Sequence, residues 1–270
     1  MERLNLNRYG QSEQSFDPVV LDRMKAESIN NTKGDLTGYD CPACRNRGSI
    51  ASVKDGGGLI FRECDCMRIR RCIMEMDKSG LGNIIREKTF EKYNALEPWQ
   101  ETIKDAAERY AENPSGWLVM CGQSGSGKTH LCTAVCRQRL LSGDVVRYFP
   151  WVEKTAEIKG MSLDDSRRAD ILHGYKTAQI LYIDDLFKTG RAADGSCNPT
   201  QADVRLAYEI IDYRYRCNLP TIISTERTPL GLLEIDQATG GRIKEMAGKN
   251  LFTIDTDMKR NYRLRDTVMV

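Results

Sequence analysis

Gly122-Gln123-Ser124-Gly125-Ser126-Gly127-Lys128-Thr129 follows directly on the apolar run Trp117-Leu118-Val119-Met120-Cys121. The octet fits G-x-x-x-x-G-K-T, the phosphate-binding loop that sits between a strand and a helix. Its residue types explain the chemistry. Glycines let the backbone curl until successive N–H groups converge on phosphate oxygens, and the helix that follows adds the positive end of its dipole. The loop Gly122–Thr129, with His130 beside it, is the candidate binding site for ATP. Lys128 is expected to reach the β- and γ-phosphates and Thr129 to hold Mg²⁺.

Working outward, Ile180-Leu181-Tyr182-Ile183 ends in Asp184-Asp185. Four apolar residues closed by two carboxylates, downstream of a phosphate loop, read as a buried strand that carries acids to the same site (a Walker B strand). Asp184 is expected to hold Mg²⁺ through its water shell, because Mg²⁺ keeps most of its waters. Asp185 is expected to orient or polarise the attacking water, with a side chain one methylene shorter than the Glu usual there.

Apolar runs at 117–121, 145–149, 180–183, 220–224 and 251–254 alternate with helical segments. That alternation predicts an α/β fold, a mostly parallel sheet wrapped by helices. Helical periodicity runs from Trp99 through Ile103, Ala106, Ala107 and Tyr110 to the turn Asn113-Pro114-Ser115-Gly116. Thr200-Gln201-Ala202-Asp203 resembles a capping box that opens a helix through Ile210 and Ile211. Tyr148 and Trp151 leave two readings, core residues or platforms for stacked bases.

The 270 residues contain 40 basic and 38 acidic side chains and are 40% hydrophobic, so the chain can fill a core and its net charge demands neither nucleic acid nor membrane. No stretch approaches the roughly 20 apolar residues that span a bilayer, and Met1-Glu2-Arg3-Leu4 lacks the apolar core of a secretory signal. The expected location is the cytoplasm, with no membrane partner. Ten cysteines in such a chain indicate metal or reduced thiols. Cys121, Cys132, Cys136, Cys197 and Cys217 are expected as free, buried thiols.

Cys41-Pro42-Ala43-Cys44 and Cys64-Asp65-Cys66 flank a loop with Gly56-Gly57-Gly58. Four thiolates suit a tetrahedral Zn²⁺ site, and a segment with so little apolar content needs such a metal to fold. Cys72, beside Arg68-Ile69-Arg70-Arg71, is left out of the ligand set. The expected division is a polar segment over 1–40, a four-cysteine zinc module over 41–75, a connector over 76–98 and the ATPase domain over 99–270. Within 1–40, Val19–Met24 is either a docking helix or a frayed end. A helix is expected from Met67 to Met76, broken at Ser79-Gly80.

Thr221-Ile222-Ile223 ends in Ser224-Thr225-Glu226, followed by Gly240-Gly241-Arg242-Ile243-Lys244-Glu245. With the cysteine cluster ahead of the phosphate loop and the Ser79-Gly80-Leu81 and Thr89-Phe90 joins, these residues resemble the DnaC/DnaI-type replicative helicase loaders, phage and prophage versions above all, over about residues 40 to 265. The resemblance implies a AAA+ ATPase with a reduced or absent lid. It implies a sensor 1 group among Ser224, Thr225 and Glu226, for which Thr225 is taken. It also implies an arginine finger, Arg242, that completes the ATP site of a neighbouring subunit in an assembly. From the residues alone, Arg242 reads equally as an ion pair with Glu245. The implied partners are a hexameric, DnaB-type replicative helicase and single-stranded DNA. The implied function is ATP-dependent loading of the helicase at replication initiation, with slow, partner- or DNA-stimulated hydrolysis. An IstB-type transposition ATPase shares the core motifs, but the cysteine module argues against it. The closing Lys259, Arg260, Arg263 and Arg265 are assigned either to DNA phosphates or to a solvated strand edge.

Overall fold

The computed structural model describes residues 17–78, 82–161, 165–189 and 198–264. The Ser79-Gly80-Leu81 break, Cys197, Arg265 and the side chain of Cys72 lie outside the described residues. The chain divides into two compact units, Met1–Met67 and Arg68–Val270.

In the first unit, helix α1 (Pro18–Asn31) precedes an antiparallel hairpin of β1 (Ser49–Val53) and β2 (Leu59–Glu63). Asp17 caps α1 by accepting from Val19 N–H, and Pro18 occupies the first turn, where its missing donor costs nothing. The helix is pinned at both ends. The Asn30 amide donates to Ala51 O at 2.8 Å and accepts from Ala51 N–H at 2.9 Å, standing in for a neighbouring strand at the edge of β1. Asp22 accepts from Gly58 N–H at 2.8 Å in the glycine turn of the hairpin. Of the two readings of Val19–Met24, the frayed end is therefore the wrong one. The hairpin itself was not legible in the sequence as strands, because β2 (Leu-Ile-Phe-Arg-Glu) is mostly exposed and lacks alternation.

Helix α2 (Cys66–Lys78) starts at the last cysteine of the cluster and continues into the second unit, and a short α3 (Gly82–Glu87) interrupts the connector. Then come α4 (Pro98–Glu112), β3 (Trp117–Gly122), α5 (Lys128–Leu141), β4 (Val146–Pro150), α6 (Trp151–Gly160), α7 (Asp165–Lys176), β5 (Ile180–Asp184), α8 (Gln201–Arg216), β6 (Thr221–Ser224), α9 (Pro229–Ile235), α10 (Gln237–Ala247) and β7 (Leu251–Ile254). The five strands β3 to β7 coincide with the five apolar runs. They form one sheet in the order β4-β5-β6-β3-β7, parallel throughout. Every residue of β3, β5 and β6 is buried, as expected of strands covered on both faces. α8 carries the expected capping box, with Thr200 and Asp203 bonded to each other's backbone N–H.

The order places β3, which leads into the phosphate loop, between β6 and β7, with β5 on the far side of β6. The parallel alignment puts the carboxyl ends of β3, β5 and β6 at one edge, where ligands of open α/β sheets bind. One buried group ties the opposite edge together. Arg214 is fully buried and donates to the carbonyls of Tyr175, Lys176, Ala178 and Pro220 and to Thr221 Oγ1. Burial lowers its pKa to about 10, so the guanidinium stays charged at neutral pH.

Candidate functional site

At the carboxyl edge the phosphate loop closes over a cavity of about 300 Å³. Gly122 N–H donates to Thr225 O and Gln123 N–H to Ile254 O, both at 3.0 Å, which fixes the loop entrance to the tips of β6 and β7. Gly122 has φ +100°, and a Cβ there would stand 2.1 Å from Ile254 O, so the position admits only glycine.

Ser124, Gly125, Ser126, Gly127, Lys128, Thr129 and His130 line the cavity, while Gly122 and Gln123 sit behind the loop. Lys128 Nζ donates to the carbonyls of Gly122 and Gln123, the former at 2.8 Å. Burial lowers its pKa. His130 Nε2–H donates to Thr89 O at 2.8 Å and the ring meets the Tyr93 ring edge-on, so it anchors the connector to α5. Burial lowers its pKa below 6.5, and Lys88 and Lys92 add to that.

Thr129 Oγ1 donates to Asp184 Oδ1 at 3.1 Å. Asp184 also accepts from Tyr148 (2.9 Å), Tyr182 (2.6 Å) and the Ser224 hydroxyl. A buried carboxylate held by four hydroxyls has a fixed direction, toward Thr129, and this pair is the donor set that could hold a hard cation with its waters. Tyr148 and Tyr182 were missed as site residues, although the signal existed. Tyr182 lies two residues before Asp184 on the same strand face, and Tyr148 is its register partner on β4. Tyr148 and Trp151 are buried, Trp151 against Phe149 and Phe187, which excludes them as base-stacking platforms.

The chain turns sharply after β5. Asp185 and Phe187 adopt φ +57° and +59°, a left-handed conformation that costs on the order of 1 kcal/mol per residue. Asp185 N–H donates to Ser224 Oγ and Leu186 N–H to Ser224 O, so the turn is clamped to β6. The turn delivers Asp185 and Lys188 to the cavity wall, where Glu226 joins them. Lys188 Nζ bridges Asp185 (2.8 Å) and Glu226 (3.2 Å). Burial raises the Asp185 pKa, with Asp184 and Glu226 adding to it and Lys188 opposing. Against burial, Ser124 and Lys188 hold Glu226 below the usual carboxylate range. Lys188 was not singled out in the sequence, although Asp-x-x-Lys is a spacing that brings the two ends together across one turn.

Two chosen residues are not brought to this cavity. Thr225 is fully buried, with its hydroxyl donating to Leu186 O and accepting from Arg227 N–H, so of the three sensor candidates Ser224 touches Asp184 and Glu226 faces the cavity. Arg242, on α10, pairs with Asp212 at 3.0 Å and lies over the rings of Tyr208 and Tyr215. Its expected partner Glu245 instead accepts from the Tyr215 hydroxyl.

In the first unit, Cys41, Cys44, Cys64 and Cys66 converge with their sulfurs all within 4.8 Å of one another. The pairs Cys41–Cys64 and Cys44–Cys66 stand at 3.7 and 3.4 Å. Four thiolates at Zn–S bonds of about 2.3 Å lie about 3.8 Å apart in a tetrahedron, so the donor set fits Zn²⁺. The knuckle is shaped by Arg45 and Asn46 in the left-handed region, and Asn46 Oδ1 accepts from Cys41 N–H. Burial works against ionisation of Cys44, yet Gly48 N–H and the neighbouring thiols lower its pKa to about 6. The remaining thiols behave differently. Cys121, Cys132 and Cys136 are buried, and burial pushes Cys121 up to about 12. Cys217 is exposed, contrary to expectation, because it caps the end of α8.

A parallel sheet of this order, with a phosphate loop after β3 and a carboxylate pair at the end of β5, the next strand but one, defines an α/β protein of the AAA+ phosphate-loop fold. No family model matches the chain. It is 30% identical over 253 residues to the phage-like element PBSX protein XkdC of Bacillus subtilis, covering 90% of this chain and 92% of that one. It is 23% identical over 219 residues to the replicative helicase loader DnaC of Escherichia coli K12, covering 76% and 82%. A crystal structure of the DnaC helicase loader superposes with a TM-score of 0.50 at 19% identity, over 63% of this chain and 97% of that one. The chain belongs to the family of the phage-like element protein XkdC, and at lower identity it is similar to the DnaC helicase loaders. Among the described residues no helix is long and apolar enough to cross a membrane.

Proposed function

We propose that this chain is a cytoplasmic, ATP-dependent loader of a hexameric, DnaB-type replicative helicase onto single-stranded DNA, in which nucleotide binding and hydrolysis switch an assembly. The observation that carries this reading is the convergence of Lys128, Thr129, Asp185 and Glu226 on one cavity at a phosphate loop, with Asp184 bonded to Thr129 behind them, in a chain of this family.

The residues fit their tasks. The loop N–H groups and Lys128 bind the phosphates, for which Lys128 exchanges its carbonyl partners for anionic oxygens. Thr129 and Asp184 hold Mg²⁺, which supplies charge neutralisation at the phosphates when bound. Asp185 orients the attacking water, and Glu226 holds the sensor position in place of Thr225. Lys188, shared by both carboxylates, keeps Asp185 from acting freely and supports a slow basal rate. Arg242 acts in trans as the arginine finger, which requires it to leave Asp212 as subunits assemble. Zn²⁺ on Cys41, Cys44, Cys64 and Cys66 shapes the unit that, with α1, grips the helicase.

The experiment is a loading assay with the replicative helicase of the bacterium that carries this chain, scored as helicase retained on circular single-stranded DNA in Mg-ATP. Wild type is expected to deliver helicase and Lys128→Ala to deliver none. Equal delivery by both sinks the ATP-dependent reading. Assembly on duplex DNA with no helicase retained supports a transposition ATPase instead.

A further inference from the structure

The turn after β5 is strained and firmly held. Asp185 and Phe187 both stand in the left-handed region, which side chains other than glycine rarely enter, and strain of this kind gathers where function needs it. Beyond the two bonds from Asp185 N–H and Leu186 N–H to Ser224, Leu186 O accepts from the Thr225 hydroxyl at 2.7 Å and Phe187 O from the Arg227 guanidinium at 3.3 Å. Lys188 N–H donates back to Asp185 O at 2.9 Å. The Phe187 ring is buried against Trp151. The product of all this is a fixed base for one side chain. Lys188 itself is 39% exposed on a four-carbon stem, so its ammonium can turn while the backbone stays.

That ammonium now lies between Asp185 and Glu226, and Glu226 also takes a hydrogen bond from Ser124 of the phosphate loop. All four residues line the cavity with Lys128 and Thr129. Two carboxylates on the wall repel a phosphate, the more so in a partly buried site, and Lys188 is the cation bonded to both. Loop N–H groups and Lys128 serve the phosphates that a diphosphate and a triphosphate share. A third phosphate adds charge on the side of the attacking water, which Asp185 orients in the function proposed above, and Asp185 is a partner of Lys188.

We propose that Lys188 reads the γ-phosphate: with a nucleoside triphosphate in the cavity its ammonium leaves Asp185 and Glu226 for phosphate oxygens, and with a diphosphate it stays on the two carboxylates. This role rests on the ATP-binding reading above and adds to it the residue that tells the two nucleotide states apart. The exchange frees Asp185 and Glu226 only when the third phosphate is present, so the turn after β5 and the tip of β6 differ between the two states.

The test measures binding of a non-hydrolysable ATP analogue and of ADP, each with Mg²⁺, to the full-length chain by displacement of a fluorescent nucleotide. Wild type, Lys188→Met, Lys188→Arg and Glu226→Gln are compared. A charge-assisted hydrogen bond lost from the third phosphate predicts that Lys188→Met binds the ATP analogue about tenfold more weakly while its ADP affinity, which also reports an intact fold, changes less than about twofold. Lys188→Arg is expected to regain most of the loss. Glu226→Gln removes a competitor for the ammonium and is expected to bind the ATP analogue more tightly. Equal changes for both nucleotides in Lys188→Met, or no change, overturn the proposal, as does a gain in ATP affinity, which makes Lys188 a plain restraint on Asp185. Weaker or unchanged ATP binding in Glu226→Gln overturns the exchange of partners. Wild type that binds neither nucleotide strikes the ATP-binding reading itself, a result the variants cannot mimic.

Discussion

Between Pro18 and Met67 the buried side chains are four thiols, Ala26, Ala51 and Asn46. From β3 onward the chain buries whole strands, with Trp117, Phe149, Trp151, Ile183, Phe187, Ile210 and Ile223 in one cluster. The two units therefore keep their shape by different physics. The second has enough apolar surface for a core of its own, whereas the first has almost none and gathers four sulfurs where such a core would be. A protein built this way can lose one half without losing the other, and each half answers to a different perturbation.

The largest effect is expected from removing the metal ligands. Cys64→Ser, or a zinc chelator, withdraws a metal-binding free energy on the order of 10 kcal/mol. Amide hydrogen exchange across 18–67 is expected to lose its protection while β3 to β7 keep theirs. Unchanged zinc content in Cys64→Ser shows the ligand set to be wrong.

Arg214→Met reverses the comparison. Four carbonyls, that of Ala178 buried and the others partly so, and the buried Thr221 hydroxyl lose their donor, a loss of about 3–5 kcal/mol for a broken network around a buried charge. The thermal midpoint of the second unit is expected to fall by several degrees, with zinc content and exchange in 18–67 unaltered. A midpoint within a degree of wild type contradicts the keystone role of Arg214.

What the sequence made legible divides along the same line. The five strands of the sheet and the phosphate loop were readable because buried parallel strands are continuous apolar runs and a loop that must wrap phosphate needs glycine at fixed spacing. The convergence of the four cysteines was readable because two close pairs at short spacing can turn their sulfurs toward one point. The hairpin between them was not, since β1 and β2 owe their pairing to the glycine turn and the sulfur cluster and show no burial pattern of their own. The site residues that escaped were those that act across strands. Tyr148 meets Asp184, and Lys188 meets Glu226, only once β4, β5 and β6 lie side by side. Trp151 misled for the same reason, as an aromatic after a strand reads alike whether Phe187 covers it or not.

The smallest predicted effect is a pH dependence confined to the second unit. His130 has a folded pKa below 6.5, lowered by burial and by Lys88 and Lys92, so the unfolded chain binds its proton more readily than the folded one. Stability from this group is complete above about 6.5 and is lost as pH falls toward the folded value. Between pH 7 and 5.5 the melting temperature of wild type is expected to fall further than that of His130→Gln, which keeps a polar group for Thr89 O without the titration. Parallel curves for the two proteins remove His130 from the pH response.

The measurement that tests the central claim most directly is native mass spectrometry of the chain mixed with the replicative helicase of its host, with and without Mg-ATP. The account predicts a defined complex of helicase and loader in Mg-ATP, one zinc for each loader chain, and a different subunit count for Lys128→Ala. A complex of the same composition with or without nucleotide, or no complex at all, contradicts it.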